Sequence, residues 1–200
     1  MLFVDPYIDE GTGLLRNLLG ATSAEVFEEL EPQIVFANEI ELESVNIPRT
    51  NDFDEVLRIH KQLFKGVYEW AGRIRTVDIK KNAENAEYFL LAGKISDAAV
   101  YVFGELAKGN HLKGLNKEDF VKRLAHHYDQ LNYIHPFREG NGRVQRIFWT
   151  RVAHDAGYEI DWSAVIGEEN DEASRLAAEE MDLSALEDMF QRITISLNDA

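Results

Sequence analysis

The segment from His135 to Arg146 constrains the fold of this chain most, because it places a polar loop between two helical stretches. It reads His-Pro-Phe-Arg-Glu-Gly-Asn-Gly-Arg-Val-Gln-Arg. Pro136 has no backbone N–H and disfavours helical geometry at His135, so we expect the incoming helix to end there. Gly140 and Gly142 can take positive φ, which predicts a sharp turn whose backbone N–H groups converge on one point.

A second helix is predicted to begin at this turn. Its apolar residues recur at helical spacing and would face the core: Val144, Ile147, Phe148 and Val152. The unpaired N–H groups and the dipole of its first turn favour a bound phosphate. Arg143 and Arg146, three residues apart, can fork onto phosphate oxygens.

Glu139 and His135 add chemistry to this anion-binding turn. Glu139 stands among positive groups, which is understandable if a divalent cation is present, because Mg²⁺ prefers one or two carboxylates plus substrate phosphate oxygens. Histidine exchanges protons near neutral pH, so His135 is the predicted acceptor for the proton of an attacking hydroxyl, a role worth about 10²–10⁴-fold in rate. Each fragment alone is a common turn or helix end, but together they indicate phosphate chemistry.

These twelve residues resemble the signature of the Fic family, His-Pro-Phe-x-(Asp/Glu)-Gly-Asn-Gly-Arg-x-x-Arg, and match it at every specified position. The resemblance implies a protein adenylyltransferase that moves the AMP of ATP, with Mg²⁺, onto a Ser, Thr or Tyr hydroxyl of a target protein and releases pyrophosphate. Relatives that transfer a phosphate instead carry Lys at the position of Gly142. The glycine here therefore implies nucleotide transfer.

The resemblance also implies roles for single residues. It makes His135 the general base, Glu139 the Mg²⁺ ligand and Phe137 the anchor of the loop in the core. The implied anion hole for the phosphates is formed by Gly140, Asn141 and Gly142. Arg143 would contact the β-phosphate, and Arg146 would contact the γ-phosphate.

A short hairpin is predicted at about residues 73–89, because apolar and polar residues alternate before a turn at residues 80–82. In the Fic family the equivalent hairpin, the flap, binds the target as an added strand and aims its hydroxyl at the base. The residues so implicated are Thr76, Val77, Asp78, Ile79 and Lys80. Many relatives carry Lys-Gly near the tip, where this chain has Asn82-Ala83, so the choice of target stays open, and a plain surface hairpin is the alternative.

The whole chain is predicted to be an all-α Fic fold, a compact bundle of about six to eight helices with that one β-hairpin. A length of 200 residues with 45% hydrophobic content suits one domain. Its expected parts are a helical extension over 1–50, a core over 52–157 and C-terminal helices over 158–200.

Helices are expected after Thr22, kinked or divided at Pro32, then after Asp52, from Ile95, after Asn116, over 164–180 and over 184–195. His60 lies on the apolar face of the helix expected after Asp52 and is assigned a structural role.

The composition restricts the kinds of partner. A balance of 36 acidic against 21 basic residues gives a net charge of −15, which opposes non-specific binding to nucleic acid or an anionic membrane. The chain has no cysteine and shows neither a signal-peptide core nor a membrane-spanning run. We expect a cytoplasmic protein, and export without a cleaved signal stays open.

Regulation is expected to come from another protein. In the Fic family an inhibitory helix, Ser/Thr-x-x-x-Glu-Gly/Asn, places its glutamate on the second motif arginine. In this chain Glu precedes Gly or Asn at positions 10, 84, 139 and 169, and the residue four positions before is never Ser or Thr: Pro6, Lys80, His135 and Val165. We therefore hypothesise that a small antitoxin protein supplies the glutamate, the alternative being a chain without such a brake.

As a toxin of this kind, the chain resembles toxins that adenylylate bacterial type II topoisomerases. The resemblance therefore implies DNA gyrase and topoisomerase IV as targets. Two other functions stay open. The same site could use another nucleotide or phosphate-containing donor, or the chain could be a nucleotide-binding interaction module without turnover. An intact His135 argues against the module, because phosphate binding alone does not require a base.

Overall fold

The computed structural model describes residues 5–80 and 88–197. Within these ranges the chain forms seven α-helices and one two-stranded antiparallel sheet, which confirms the predicted helical fold class. The helices are α1 (Ala24–Leu42), α2 (Phe53–Leu63), α3 (Ile95–Lys108), α4 (Lys117–Ile134), α5 (Asn141–Asp155), α6 (Gly167–Glu180) and α7 (Ser184–Ile193). The strands are β1 (Tyr158–Ile160) and β2 (Thr194–Ser196).

Two helices begin at the capping residues that the sequence indicates. Asp52 accepts a hydrogen bond from the backbone N–H of Glu55 at the start of α2, and Asn116 accepts one from Asp119 at the start of α4. These side chains satisfy backbone donors that have no partner inside the helix. Residues 5–20 form turns and bends and no helix, so within residues 5–50 helical structure is confined to α1.

Of the two alternatives for Pro32, a kink or a division of the first helix, the division is wrong. Helix α1 runs without interruption through Pro32, and its N-cap is Ser23 rather than Thr22. Proline costs the helix one hydrogen bond, but the buried side of α1 packs against α2 and offsets that cost. On that side the Asn38 amide donates to the carbonyl oxygens of Leu63 and Lys65, at 2.8 and 3.0 Å, where α2 ends.

Helix α4 is the centre of the bundle and leads directly into the polar loop. It packs against α3, α5, α6 and α7, and its buried residues lie on more than one face. The loop after α4 is therefore attached to the helix that packs against four others, and α5 leaves from its other end.

The C-terminal part differs from the sequence-based prediction. Helix α6 begins three residues later than predicted, after a 3₁₀ turn at Trp162–Ala164, and α7 ends at Ile193 instead of residue 195. The chain then pairs β2 with β1, with Tyr158 opposite Ser196 and Ile160 opposite Thr194. None of the helices in the two described ranges is long and apolar enough to cross a membrane.

His127 is a buried histidine on α4 that must stay neutral in the folded state. It is 1% exposed, and neither ring nitrogen has a hydrogen-bond partner among the described residues. Burial first, and then the positive charges of His126 and Arg123, lower its pKa from 6.5 to about 4. Between these two pH values the unfolded chain binds more protons, so stability is lost as the pH falls through this window.

We expect His127→Leu to reduce the pH dependence of the unfolding free energy between pH 7 and pH 5. One such histidine contributes a slope of up to about 1.4 kcal/mol per pH unit, and the leucine removes it. Urea unfolding at pH 7, 6 and 5 measures the slope. His154→Gln, at an exposed position on α5, is the control and should keep the wild-type slope. An unchanged slope for His127→Leu would contradict the assignment.

Candidate active site

His135 ends α4 in a left-handed conformation, with φ 44° and ψ 63°. This region costs an L-residue roughly 1–2 kcal/mol, so surrounding contacts must hold it. Its ring Nδ1 lies 3.1 Å from the carbonyl oxygen of Asn132, which can only accept, so Nδ1 carries the proton and Nε2 the lone pair. The ring stacks on Phe89 with 3.7 Å between centroids. The basic nitrogen of His135 is thereby given a fixed direction.

Asn141 closes the loop through two reciprocal hydrogen bonds to Phe137. The Asn141 Oδ1 atom accepts from the backbone N–H of Phe137 at 2.9 Å, and its amide donates to the Phe137 carbonyl at 2.8 Å. The Phe137 ring is 1% exposed and stacks on His60, 3.8 Å between centroids. The predicted loop anchor therefore does lie in the core, and Asn141 fixes the turn from inside.

His60 supports the loop from the core side, through contacts with Phe137 and Glu139. Its Nδ1 accepts a hydrogen bond from the backbone N–H of Gly72 at 2.7 Å, so the proton resides on Nε2, which donates to the carbonyl oxygen of Glu139 at 3.1 Å. Burial lowers the pKa of His60 to about 3, which keeps the ring in this neutral form. The structure thus gives His60 the structural position that its apolar surroundings predict.

The N-terminus of α5 presents backbone donors to an anion. Gly140 is the N-cap with φ 83° and makes the sharp turn, whereas Gly142 lies inside the first helical turn and does not have positive φ. The first bond of the helix runs from the N–H of Val144 to the carbonyl of Gly140. The N–H groups of Asn141, Gly142 and Arg143 precede it and are the donors that a helix end offers a phosphate.

The two glycines are constrained for different reasons, which an alanine pair can separate. A Cβ atom on Gly140 would lie 2.3 Å from the Phe64 ring, whereas one on Gly142 meets only Arg146, at 4.0 Å. We expect Gly140→Ala to destabilise the fold by at least about 1–3 kcal/mol, and Gly142→Ala to leave stability unchanged or raised while weakening nucleotide binding.

Thermal unfolding and titration with a non-hydrolysable ATP analogue measure the two effects. The contrary result is a Gly142→Ala variant that binds the analogue like the wild type, because the space beside Gly142 would then not belong to the nucleotide.

Arg143 is held by a glutamate that the sequence analysis did not identify. Its two terminal nitrogens bind the carboxylate of Glu31 on α1, at 2.9 and 2.7 Å, and its guanidinium lies 4.8 Å from the centre of the Phe64 ring. Glu31 is 6% exposed. Burial alone would lower the pKa of Arg143, but the hydrogen bonds that it donates to Glu31 and the negative charges of Glu31 and Glu139 outweigh burial and raise the pKa above its usual value. The contact to the β-phosphate stays a prediction.

Arg146 is the exposed arginine of the loop region. No carboxylate of the described residues lies within ion-pair distance of it, whereas Arg138 pairs with Asp5 at 3.0 Å. Beside Arg146 a cleft of about 1000 Å³ opens between the end of α1, residues 43–49 and α5. Its apolar lining includes Leu42, Val45, Ile47 and Trp162.

Glu139 fits the predicted role of a Mg²⁺ ligand. Its side chain is 46% exposed, and its Oε1 accepts from the N–H of Gly140 at 2.8 Å, so the carboxylate is oriented. Its Oε2 has no hydrogen-bond partner in the described part of the chain. Those residues contain no group of three or more His, Asp or Glu that could hold a metal alone. The site therefore suits a cation that takes its other ligands from phosphates and water.

The two arms of the predicted flap meet beside His135. Lys80 and Tyr88 form an antiparallel bridge, and the N–H of Phe89 donates to the Ile79 carbonyl at 3.0 Å. The pairing is shorter than the predicted hairpin, and its tip at residues 81–87, including Asn82-Ala83, lies outside the described residues. Of the predicted docking residues, Val77 is buried, Ile79 half-buried, and three are exposed: Thr76, Asp78 and Lys80.

The N-terminal segment also reaches this site, which the sequence analysis did not foresee. The Tyr7 hydroxyl accepts from the backbone N–H of Thr76 at 3.0 Å, and Asp5 holds Arg138 of the loop. The N–H of Ala92 donates to Asp78 at 2.7 Å and braces the other side of the flap. Thr76 and Asp78 are thus partly committed to contacts inside the protein.

Comparison with known proteins agrees with this geometry. Residues 51–153 match the Fic/DOC family. The chain is 41% identical over 171 residues to the protein adenylyltransferase VbhT of Bartonella schoenbuchensis, covering 85% of this chain and 35% of VbhT. It is 35% identical over 190 residues to the probable protein adenylyltransferase Fic of Salmonella typhimurium, covering 94% of this chain and 91% of that protein.

A solved structure has the same fold. The BepC protein of Bartonella tribocorum, with bound AMPPNP, superposes with a TM-score of 0.87 at 25% identity, over 95% of this chain and 96% of that one. A helical bundle that carries the complete motif on the loop between α4 and α5 defines a Fic-type protein. This chain belongs to the Fic/DOC family.

Proposed function

We propose that this chain is a protein adenylyltransferase, which transfers AMP from ATP to a hydroxyl side chain of a target protein and releases pyrophosphate. The observation that carries the proposal is the orientation of the His135 ring, whose Nδ1 is bound to the Asn132 carbonyl so that Nε2 keeps the lone pair. His135 lies on the same loop that leads into the N-terminus of α5, where backbone N–H groups can bind an anion. The names of the relatives support it, since they are protein adenylyltransferases, as does the AMPPNP bound to BepC.

In this proposal the phosphates of ATP lie at the N-terminus of α5. The N–H groups of Asn141, Gly142 and Arg143 bind phosphate oxygens, and Arg146 reaches the γ-phosphate. A Mg²⁺ ion held by Glu139 would neutralise charge on the phosphates. These groups orient the α-phosphorus toward the attacking hydroxyl.

His135 then takes the proton of that hydroxyl at Nε2. The hydroxyl oxygen forms a bond to the α-phosphorus, the bond between the α-phosphorus and the bridging oxygen to the β-phosphate breaks, and pyrophosphate leaves. The hydrogen bond from Nδ1 to Asn132 keeps the ring oriented and stabilises the imidazolium that forms. The flap, with Thr76, Val77, Asp78, Ile79 and Lys80, would align the target segment as an added strand.

We expect His135→Ala to abolish transfer and to leave nucleotide binding nearly unchanged, because the phosphate contacts come from other residues. The purified protein is incubated with Mg²⁺ and ATP labelled at the α-phosphate in a bacterial lysate, and labelled protein bands are compared with those of the wild type. Binding of a non-hydrolysable analogue is the control for folding. Full labelling by His135→Ala would overturn the general-base role, and no labelling by the wild type would favour another donor or a binding module.

The partners in this proposal are a small antitoxin protein and a target in the cytoplasm. The antitoxin would place a glutamate on Arg146, and the support for this is that Arg146 is exposed beside a cleft lined by both polar and apolar residues, while Glu31 binds the other motif arginine, Arg143. Type II topoisomerase subunits are the first targets to test, by family resemblance alone.

We expect co-expression with the neighbouring gene product to restore growth and to suppress labelling of targets, because its glutamate would exclude the γ-phosphate from Arg146. Growth curves and labelling of lysates with and without the neighbour measure this. A His135→Ala chain, expressed in parallel, separates toxicity by transfer from toxicity by overproduction. Equal growth and equal labelling in both conditions would remove the antitoxin from the proposal.

A further inference from the structure

Arg75 belongs to the first arm of the flap, and its buried guanidinium lies between the flap and the end of α4. It is 2% exposed, and no carboxylate of the described residues forms an ion pair with it. Burial lowers the pKa of its guanidinium, although the charge of Asp78 acts in the opposite direction. A buried charge without a paired counter-ion is costly unless hydrogen bonds satisfy it. The hydrogen-bond partners of Arg75 therefore show which part of the structure the buried charge stabilises.

The guanidinium of Arg75 donates to four backbone carbonyls from three segments. Its Nε binds the carbonyl of His135 at 2.8 Å, and one terminal nitrogen binds that of Val77 at 2.7 Å. The other terminal nitrogen binds Leu90 at 2.5 Å and Ile134 at 3.3 Å. Val77 lies on the first arm of the flap and Leu90 directly follows the second arm, whereas Ile134 and His135 end α4. One rigid planar group thus joins both arms to the base.

The same residue also holds the unusual backbone of His135. The N–H of Arg75 donates to the carbonyl of Pro136 at 2.8 Å, so Arg75 binds the carbonyls of two consecutive residues, His135 and Pro136. The carbonyl end of α4 carries partial negative charge, which favours a cation there. These bonds offset the cost of the left-handed conformation at His135.

We propose that Arg75 is a positioning residue that couples the flap to His135, so that the acceptor hydroxyl and the base are aligned by one guanidinium. This inference rests on the proposed function of the site. None of the hydrogen bonds of Arg75 goes to residues 140–146, which bind the nucleotide in that proposal. Arg75 should therefore affect the protein substrate and the chemical step, but not the affinity for nucleotide.

Arg75→Lys tests the coupling, because lysine keeps the charge but lacks the planar fork that reaches three segments. We expect an unchanged Kd for a non-hydrolysable ATP analogue, a raised KM for the target protein and a kcat/KM lowered by about 10–100-fold. Arg151→Lys is the matched control, since Arg151 is also largely buried and joins Glu55 to the carbonyl of Ile47, away from the flap. It should keep the wild-type KM.

Two measurements that need no activity complete the test. Amide hydrogen exchange of residues 76–80 and 88–90 should become faster in Arg75→Lys, and the ¹⁵N resonances of the His135 ring should shift, with neither change in Arg151→Lys. Arg75→Gln, whose shorter amide spans fewer of the carbonyls, should change both in the same direction.

A merely structural role predicts a different pattern, with lower kcat at unchanged KM and faster exchange throughout the protein, and that pattern overturns the proposal. Unchanged flap exchange together with an unchanged His135 resonance also overturns it. If the wild type transfers no label, the proposed function fails, but exchange and ring resonances still decide whether Arg75 couples the flap to His135.

Discussion

The backbone of the loop from His135 to Gly140 is held by hydrogen bonds from side chains of other segments, and the site depends on this support. Arg75 binds the carbonyl of His135, His60 binds that of Glu139, and Asn141 binds both polar groups of Phe137. A loop that leaves one helix in a left-handed conformation and enters the next through a glycine of positive φ would otherwise sample many shapes. With its carbonyls bound, it presents a base and a helix N-terminus in one arrangement.

Local charge near this loop runs against that of the whole chain. The net charge of −15 would repel a nucleotide, yet the loop carries three arginines and the donor end of α5. Two of the arginines are already paired, Arg138 with Asp5 and Arg143 with Glu31. Arg146 is exposed and can bind an anionic ligand, so the positive charge available to a ligand is concentrated at this one arginine.

The sequence predicts the position of the loop between two helices better than the contacts that support the loop. The motif residues act over short distances, so their order alone indicates the base, the phosphate donors and the helix that follows. Glu31 and Arg75 were missed because their partners are distant in the chain, 112 and 60 residues away. A signal was nevertheless present: Glu31 shares the buried stripe of α1 with Val35, and Arg75 alternates in phase with the buried Val77. A charged residue at an inward position indicates a buried partner.

Tertiary packing explains the remaining differences. Pro32 signals a helix end only locally, and the contact between α1 and α2 overrides it. From its sequence alone, the start of β2 fits the last turn of the preceding helix. In the fold it is a strand, because β1, more than thirty residues earlier in the chain, supplies its hydrogen-bond partner.

The central claim concerns which bond of ATP is broken, and parallel transfer reactions with ATP labelled at the α- or the γ-phosphate test it most directly. The account predicts that α-label appears on the target protein only with intact His135, while γ-label leaves in pyrophosphate and never on protein. Transfer of γ-label to protein would show that the chain moves a phosphate and not AMP, and would contradict the role given to Gly142 and to the whole anion site.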